Sequence, residues 1–172
     1  VAVFDGGTGE YKRHWGAYGE GPDDSYSYAQ EGPEGSPPRQ FSTVHGVVGA
    51  NDGLIYVADR RGNRIQVFQQ NGEFVMEKII APETLASGSA FVIALSPDGN
   101  QEWLYLADGT NHKVWILHRE DLEIVGQFGR GGRQVGQFLR PHGMGIDSHG
   151  NLYVGEASTG RRVQKFTVSA VR

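Results

Sequence analysis

Three stretches of this chain repeat one another, and the period of that repeat constrains the fold more than any other feature. Residues 45–68, 91–117 and 142–166 each open with a short apolar run, turn, and continue into a Tyr-containing run that ends on an acidic residue. The aligned tyrosines are Tyr56, Tyr105 and Tyr153, separated by 49 and 48 residues, and the acidic residues are Asp59, Asp108 and Glu156. Asp52-Gly53 and Asp98-Gly99 interrupt the apolar runs and supply the positive φ that tight hairpins need. No stretch sustains a 3.6-residue apolar period, so almost no helix is expected beyond a short turn over 82–85. A unit of four short strands cannot bury both its faces alone. Repeats with a period of about 40–50 residues and several strands per unit are the blades of a propeller. The fold class is therefore all-β, a β-propeller of four-stranded blades.

The repeat predicts strands over 44–50, 54–59, 64–69 and 73–80, and again over 91–96, 103–107, 113–118 and 123–128. The ends fall inside blades. Residues 1–5 align with a third strand and 11–15 with a fourth, while 162–168 is a third strand. The organisation expected is the end of one blade over 1–19, a long loop over 20–40, blades over 41–81 and 88–129, and most of another over 137–172. That is about 3.5 blades. Because a propeller needs roughly 4–8 blades to close, the rest of the ring is expected from upstream blades or from a second copy of the chain. The segment 21–39, rich in Gly, Pro, Ser, Asp and Glu, reads as an extended blade connection.

Composition excludes some functions. The chain has no cysteine, which removes disulfides and thiolate metal sites. The net charge of −4, with basic residues only in pairs such as Arg60-Arg61 and Arg161-Arg162, gives no footprint for nucleic acid or an anionic membrane. No apolar run approaches the roughly 20 residues of a membrane helix. The first residue is Val1, so a processed or incomplete N-terminus is expected and the lack of a leader says little about location. No GxSxG, P-loop or HExxH pattern occurs.

The run from Gln40 through His45-Gly46, Asp52-Gly53, Ala58-Asp59-Arg60 and Asn63-Arg-Ile-Gln-Val-Phe68 resembles the NHL repeat. That architecture hosts enzymes, ligand modules and RNA-binding platforms, so fold does not choose among them. A narrower resemblance is to the lyase domain of peptidylglycine amidating enzymes and its bacterial NHL relatives. It implies a six-bladed, secreted or periplasmic propeller that splits peptidyl-α-hydroxyglycine into a peptide amide and glyoxylate at a zinc ion. Pro141-His142-Gly143 matches one zinc-ligand motif of that family, and Val44-His45-Gly46 matches another with Val in place of Pro. Arg60, after Ala58-Asp59, matches an active-site arginine. The blade between them carries Phe91 at the histidine position and Thr110 after Asp108-Gly109. The family's catalytic tyrosine and remaining zinc histidine would fall before Val1, so little lyase activity is expected of this stretch by itself.

Neutral imidazoles at the mouth of a closed channel can hold Zn²⁺ with a position left open, and an arginine beside it can grip a carboxylate with two hydrogen bonds. His45 and His142 are 97 residues apart, yet each opens the innermost strand of its blade, so they are expected to converge. The alternative for each histidine is a hydrogen bond to a neighbouring blade's backbone, and for Arg60 an ion pair with Asp59 or Asp108. His14, His112, His118 and His149 fall in turns or outer strands. Two further functions stay open. One is a non-catalytic propeller that holds a peptide or protein at its rim. The other is a lactonase-like hydrolase with Ca²⁺, for which Asp147 and Asn111 are the inner residues on offer.

Overall fold

The computed structural model describes residues 1–26 and 38–167. Among the described residues, thirteen strands form four antiparallel sheets, each a meander in sequence order. Blade I has β1 (Ala2–Phe4) and β2 (Tyr11–His14). Blade II has β3 (Val44–Gly49), β4 (Ile55–Asp59), β5 (Arg64–Phe68) and β6 (Phe74–Ile79). Blade III has β7 (Val92–Leu95), β8 (Trp103–Asp108), β9 (Lys113–His118) and β10 (Ile124–Phe128). Blade IV has β11 (Pro141–Ile146), β12 (Leu152–Glu156) and β13 (Val163–Phe166). The strands predicted from the repeat match within two residues at every end. The only helix among the described residues is one 3₁₀ turn, Ala17–Gly19. Residues 27–37 of the expected long loop, and 168–172, lie outside the described residues.

Strand alternation explains how the blades adhere. Successive side chains point to opposite faces of a strand. In β4, Tyr56 and Ala58 therefore face blade III, and together with Ile65 and Val67 of β5 they pack with Ile93, Leu95, Leu104 and Leu106. Val57 faces the other way and packs with Trp15 and Phe68 toward blade I. In blade III, Ala94, Tyr105 and Val114 face blade IV and meet Phe138, Leu152 and Val154. Each large aliphatic or aromatic side chain buried this way contributes about 1.5–3 kcal/mol, and both faces of the middle blades are used.

Polar groups lock the same interfaces. Arg119 of blade III reaches blade II, donating from Nη1 to Asp52 Oδ2 at 2.7 Å and to the Tyr56 hydroxyl at 3.0 Å. Its Nε and Nη2 close back on the Gln101 and Asn100 carbonyls. The recurring acidic residues end the second strand of their blades and cap the chain that enters the first strand. Asp59 Oδ1 accepts from the Ser42 and Thr43 N–H groups at 3.0 and 2.8 Å, and its Oδ2 accepts from Arg64 Nε at 3.0 Å. Glu156 repeats the pattern with the Leu139 N–H and with Arg162 and Gln164. Asp108 instead holds Asn111 and the Trp115 indole N–H. These carboxylates are structural, as their recurrence at one repeat position suggests.

Candidate functional site

The innermost strands β3, β7 and β11 are spatial neighbours, so the residues that open them meet at one end of the channel wall. Two of the three strands carry a β-bulge there. In β3, Val44 pairs with Asp59 and Gly46 with Ala58, leaving His45 without a cross-strand partner. In β11, Pro141 pairs with Glu156 and Gly143 with Gly155, leaving His142 in the same position. A bulge bends its strand and re-aims the side chain of the extra residue. β7 has no bulge, and Phe91, just before it, keeps regular pairing through its N–H to the Ala107 carbonyl.

The consequence is convergence. His45 Nε2 and His142 Nε2 lie 3.3 Å apart with the rings nearly perpendicular at 80°. His45 Nδ1 is 2.9 Å from the Phe91 carbonyl oxygen, which can only accept, so in the neutral ring Nδ1 is the nitrogen that carries the proton and Nε2 the one that presents a lone pair. Gly46 permits this approach, since a Cβ there would stand 3.2 Å from that same carbonyl. The two readings open in the sequence are thus compatible. The bond to the neighbouring blade's backbone is what turns His45 Nε2 toward His142.

His142 is half-buried, and its pKa is lowered from the ordinary 6.5, first by desolvation, then by the charges of His45, Arg140 and Arg60. The shift favours the neutral ring, the form a metal requires. Two nitrogens bound at about 2.0–2.1 Å to one tetrahedral Zn²⁺ stand about 3.3 Å apart, which the observed pair meets. His45 and His142 can therefore supply two ligands. No cluster of three or more His, Cys, Asp or Glu side chains with metal-binding geometry occurs among the described residues.

Arg60 lies beside the pair. Its backbone is fixed twice, by its N–H to the Thr43 carbonyl at 2.8 Å and by the Asn63 N–H to its own carbonyl. Its guanidinium stacks on the Phe91 ring, 5.1 Å from the centroid. The Phe91 centroid is itself 5.2 Å from His45 and 5.6 Å from His142. Neither alternative partner takes Arg60, because Asp59 is bonded to Arg64 and Asp108 to Asn111 and Trp115. Sequence reasoning missed Arg140, whose guanidinium also lies over Phe91, 5.8 Å from the centroid. Its only sequence signal was a place two residues before His142.

The other candidates do not join this site. Asn111 bonds Thr84 and Asp108, while Asp147 bonds Asn151 and Tyr153 within its own turn. His14 contacts Tyr11 on an outer strand, and His118 packs edge-on against Trp103. His149 is exposed in a turn. His112 is half-buried in a turn and leaves Nδ1 without a partner.

The NHL repeat family matches residues 41–68, the stretch that holds His45 and Arg60. The fold is similar to that of several solved structures. Virginiamycin B lyase from Staphylococcus aureus is 12% identical with a TM-score of 0.51, over 75% of this chain and 42% of that one. A putative 6-phosphogluconolactonase from Bacteroides fragilis is 23% identical with a TM-score of 0.60, over 76% and 36%. Kuenenia stuttgartiensis hydrazine synthase is 17% identical with a TM-score of 0.56, over 71% and 33%. The chain spans less than half the length of each. It is a run of β-propeller blades, one of which carries an NHL repeat over residues 41–68.

Proposed function

We propose that these blades form part of the reaction centre of a zinc-assisted carbon–nitrogen lyase, acting on peptidyl-α-hydroxyglycine or a close analogue. One observation carries the reading. Two histidines from blades separated by a third place their Nε2 atoms 3.3 Å apart, each raised on its own bulge. The Phe91 carbonyl occupies one ring nitrogen of His45, and the other faces His142 Nε2 at a separation that suits a hydrogen bond or a shared ion. A zinc ion held there would act as a Lewis acid on the substrate's hydroxyl or carboxylate oxygen.

The chain's own residues supply the rest. His45 is kept in one tautomer by Phe91, and Arg60 presents a planar fork of donors suited to a carboxylate. In the reaction, the bond from the amide nitrogen to the α-carbon breaks. The hydroxyl loses its proton and its oxygen becomes the aldehyde oxygen of glyoxylate, while the nitrogen gains a proton as the peptide amide. Similarity in fold to a lyase and a putative lactonase is compatible with this but does not select it. The lactonase-like reading is less well supported, because Asn111 is bonded to Thr84 and Asp108 and Asp147 to Asn151, away from the histidine pair.

Calorimetric titration of the metal-free chain with zinc tests the proposal. One site is expected, weakened at least 100-fold by His45→Ala and by His142→Ala. Equal affinity in all three proteins would overturn it.

A further inference from the structure

Arg140 stands in the same cluster as Arg60, and its environment does not account for its charge. The carboxylates nearest in the repeat are already engaged, Asp59 by Arg64 and Glu156 by Arg162. Among the described residues, neither Arg60 nor Arg140 has a carboxylate partner, whereas Arg64, Arg119 and Arg162 each do. The Arg60 side chain makes no hydrogen bond to a described residue, and its buried Nε is an orphan donor. Arg140 makes one long contact, Nη2 to Ser87 Oγ at 3.3 Å, out of the five donors of a guanidinium. An unmet buried donor is destabilising, and two like charges on one ring repel.

The placement is constructed. One loop between blades II and III touches both arginines. Gly88, at φ +74°, packs so closely that a Cβ would lie 1.9 Å from the Arg60 carbonyl oxygen, and Ser87 beside it meets Arg140. Phe91, which follows this loop, is stacked by both guanidiniums and lies against both histidines. The loop therefore gathers two uncompensated cations next to the histidine pair.

We propose that Arg140 is a second substrate-binding arginine, which with Arg60 forms a two-guanidinium seat for a ligand's carboxylate beside the histidine pair. This rests on the reading of that pair as the reaction centre, and it adds a requirement. The ligand must carry its negative charge within reach of both forks, which favours a small carboxylate on the atom next to an amide over a neutral or cationic peptide.

The test uses hippurate, a carboxylate one carbon from an amide nitrogen, and neutral hippuramide, titrated into the chain with and without zinc. Hippurate is expected to bind more tightly than hippuramide. Arg140→Gln and Arg60→Gln should each weaken hippurate about tenfold or more and leave hippuramide unchanged, with Arg140→Lys between wild type and Arg140→Gln. Thermal melts of each variant separate this loss from misfolding. Hippurate affinity unchanged in Arg140→Gln, or no preference for hippurate in the wild type, would overturn the seat. Zinc affinity is read separately. A normal zinc titration with no role for Arg140 refutes this inference alone, and carboxylate selectivity without zinc binding refutes the metal reading alone.

Discussion

Asp59→Ala should destabilise the protein more than any other single truncation at the turn that presents Arg60. The carboxylate is fully buried and accepts three hydrogen bonds, from the Ser42 and Thr43 N–H groups and from Arg64 Nε. Arg64 is also fully buried, and after the substitution Glu77, at 3.2 Å, is its one remaining carboxylate. Removing one member of a buried ion pair leaves an uncompensated charge and costs about 3–5 kcal/mol. For a chain of this size each kcal/mol moves Tm by about 2–4 °C, so the midpoint should fall by roughly 6–20 °C. Urea unfolding followed by circular dichroism measures the free energy directly. The double variant Asp59→Ala/Arg64→Met should be less destabilised than the sum of the singles by at least about 1 kcal/mol, because it removes both charges. The same carboxylate holds the strand entering His45 and the turn carrying Arg60, so zinc affinity should fall alongside stability. A loss under about 1 kcal/mol for Asp59→Ala, or strict additivity in the double variant, would refute the reasoning.

Gly88→Ala places a methyl against the Arg60 carbonyl at a left-handed φ and should cost about 2–4 kcal/mol, read as a lower urea midpoint. Arg119→Met removes the bonds that join blades II and III through Asp52 and Tyr56 and should cost about 2 kcal/mol in the same assay. Glu156 supplies a pH signature. Burial alone would raise its carboxyl, but Arg162, the Leu139 N–H and Gln164 outweigh that and hold it below the usual 4.5. A carboxyl lowered in the folded state stabilises above its unfolded pKa and loses that contribution as pH falls through the folded value. Stability should therefore decline below about pH 4.5, and Glu156→Gln should flatten the decline; an unchanged slope would contradict this.

The strands and their grouping into blades were legible because a repeated apolar pattern reports pairing directly; of the two Asp-Gly turns only Gly53 takes the positive φ expected, since after Asp98-Gly99 it falls on Gln101. The register within β3 and β11 was not. A bulge is one unpaired residue, and neither Val44-His45-Gly46 nor Pro141-His142-Gly143 differs in apolar pattern from a regular strand. That single residue decides where the imidazoles point. His45, His142 and Arg60 could be chosen from motif position, but Arg140 could not, since the residues at its repeat position in the other blades are Thr43 and Ser89 and it gains meaning only by sharing the Phe91 ring with Arg60. The buried role of Arg64 was equally hidden. Besides Asp59 and Glu77, it donates to Tyr18, Pro38 and Gln40, residues that no local pattern connects to it.

The central claim is that His45 and His142 hold one ion between them. Zinc K-edge X-ray absorption on the zinc-loaded chain tests it most directly. The account predicts two imidazole nitrogens on a single zinc at about 2.0–2.1 Å, falling to one in His45→Ala and to one in His142→Ala. A spectrum without imidazole scattering, or one that neither substitution alters, would contradict it.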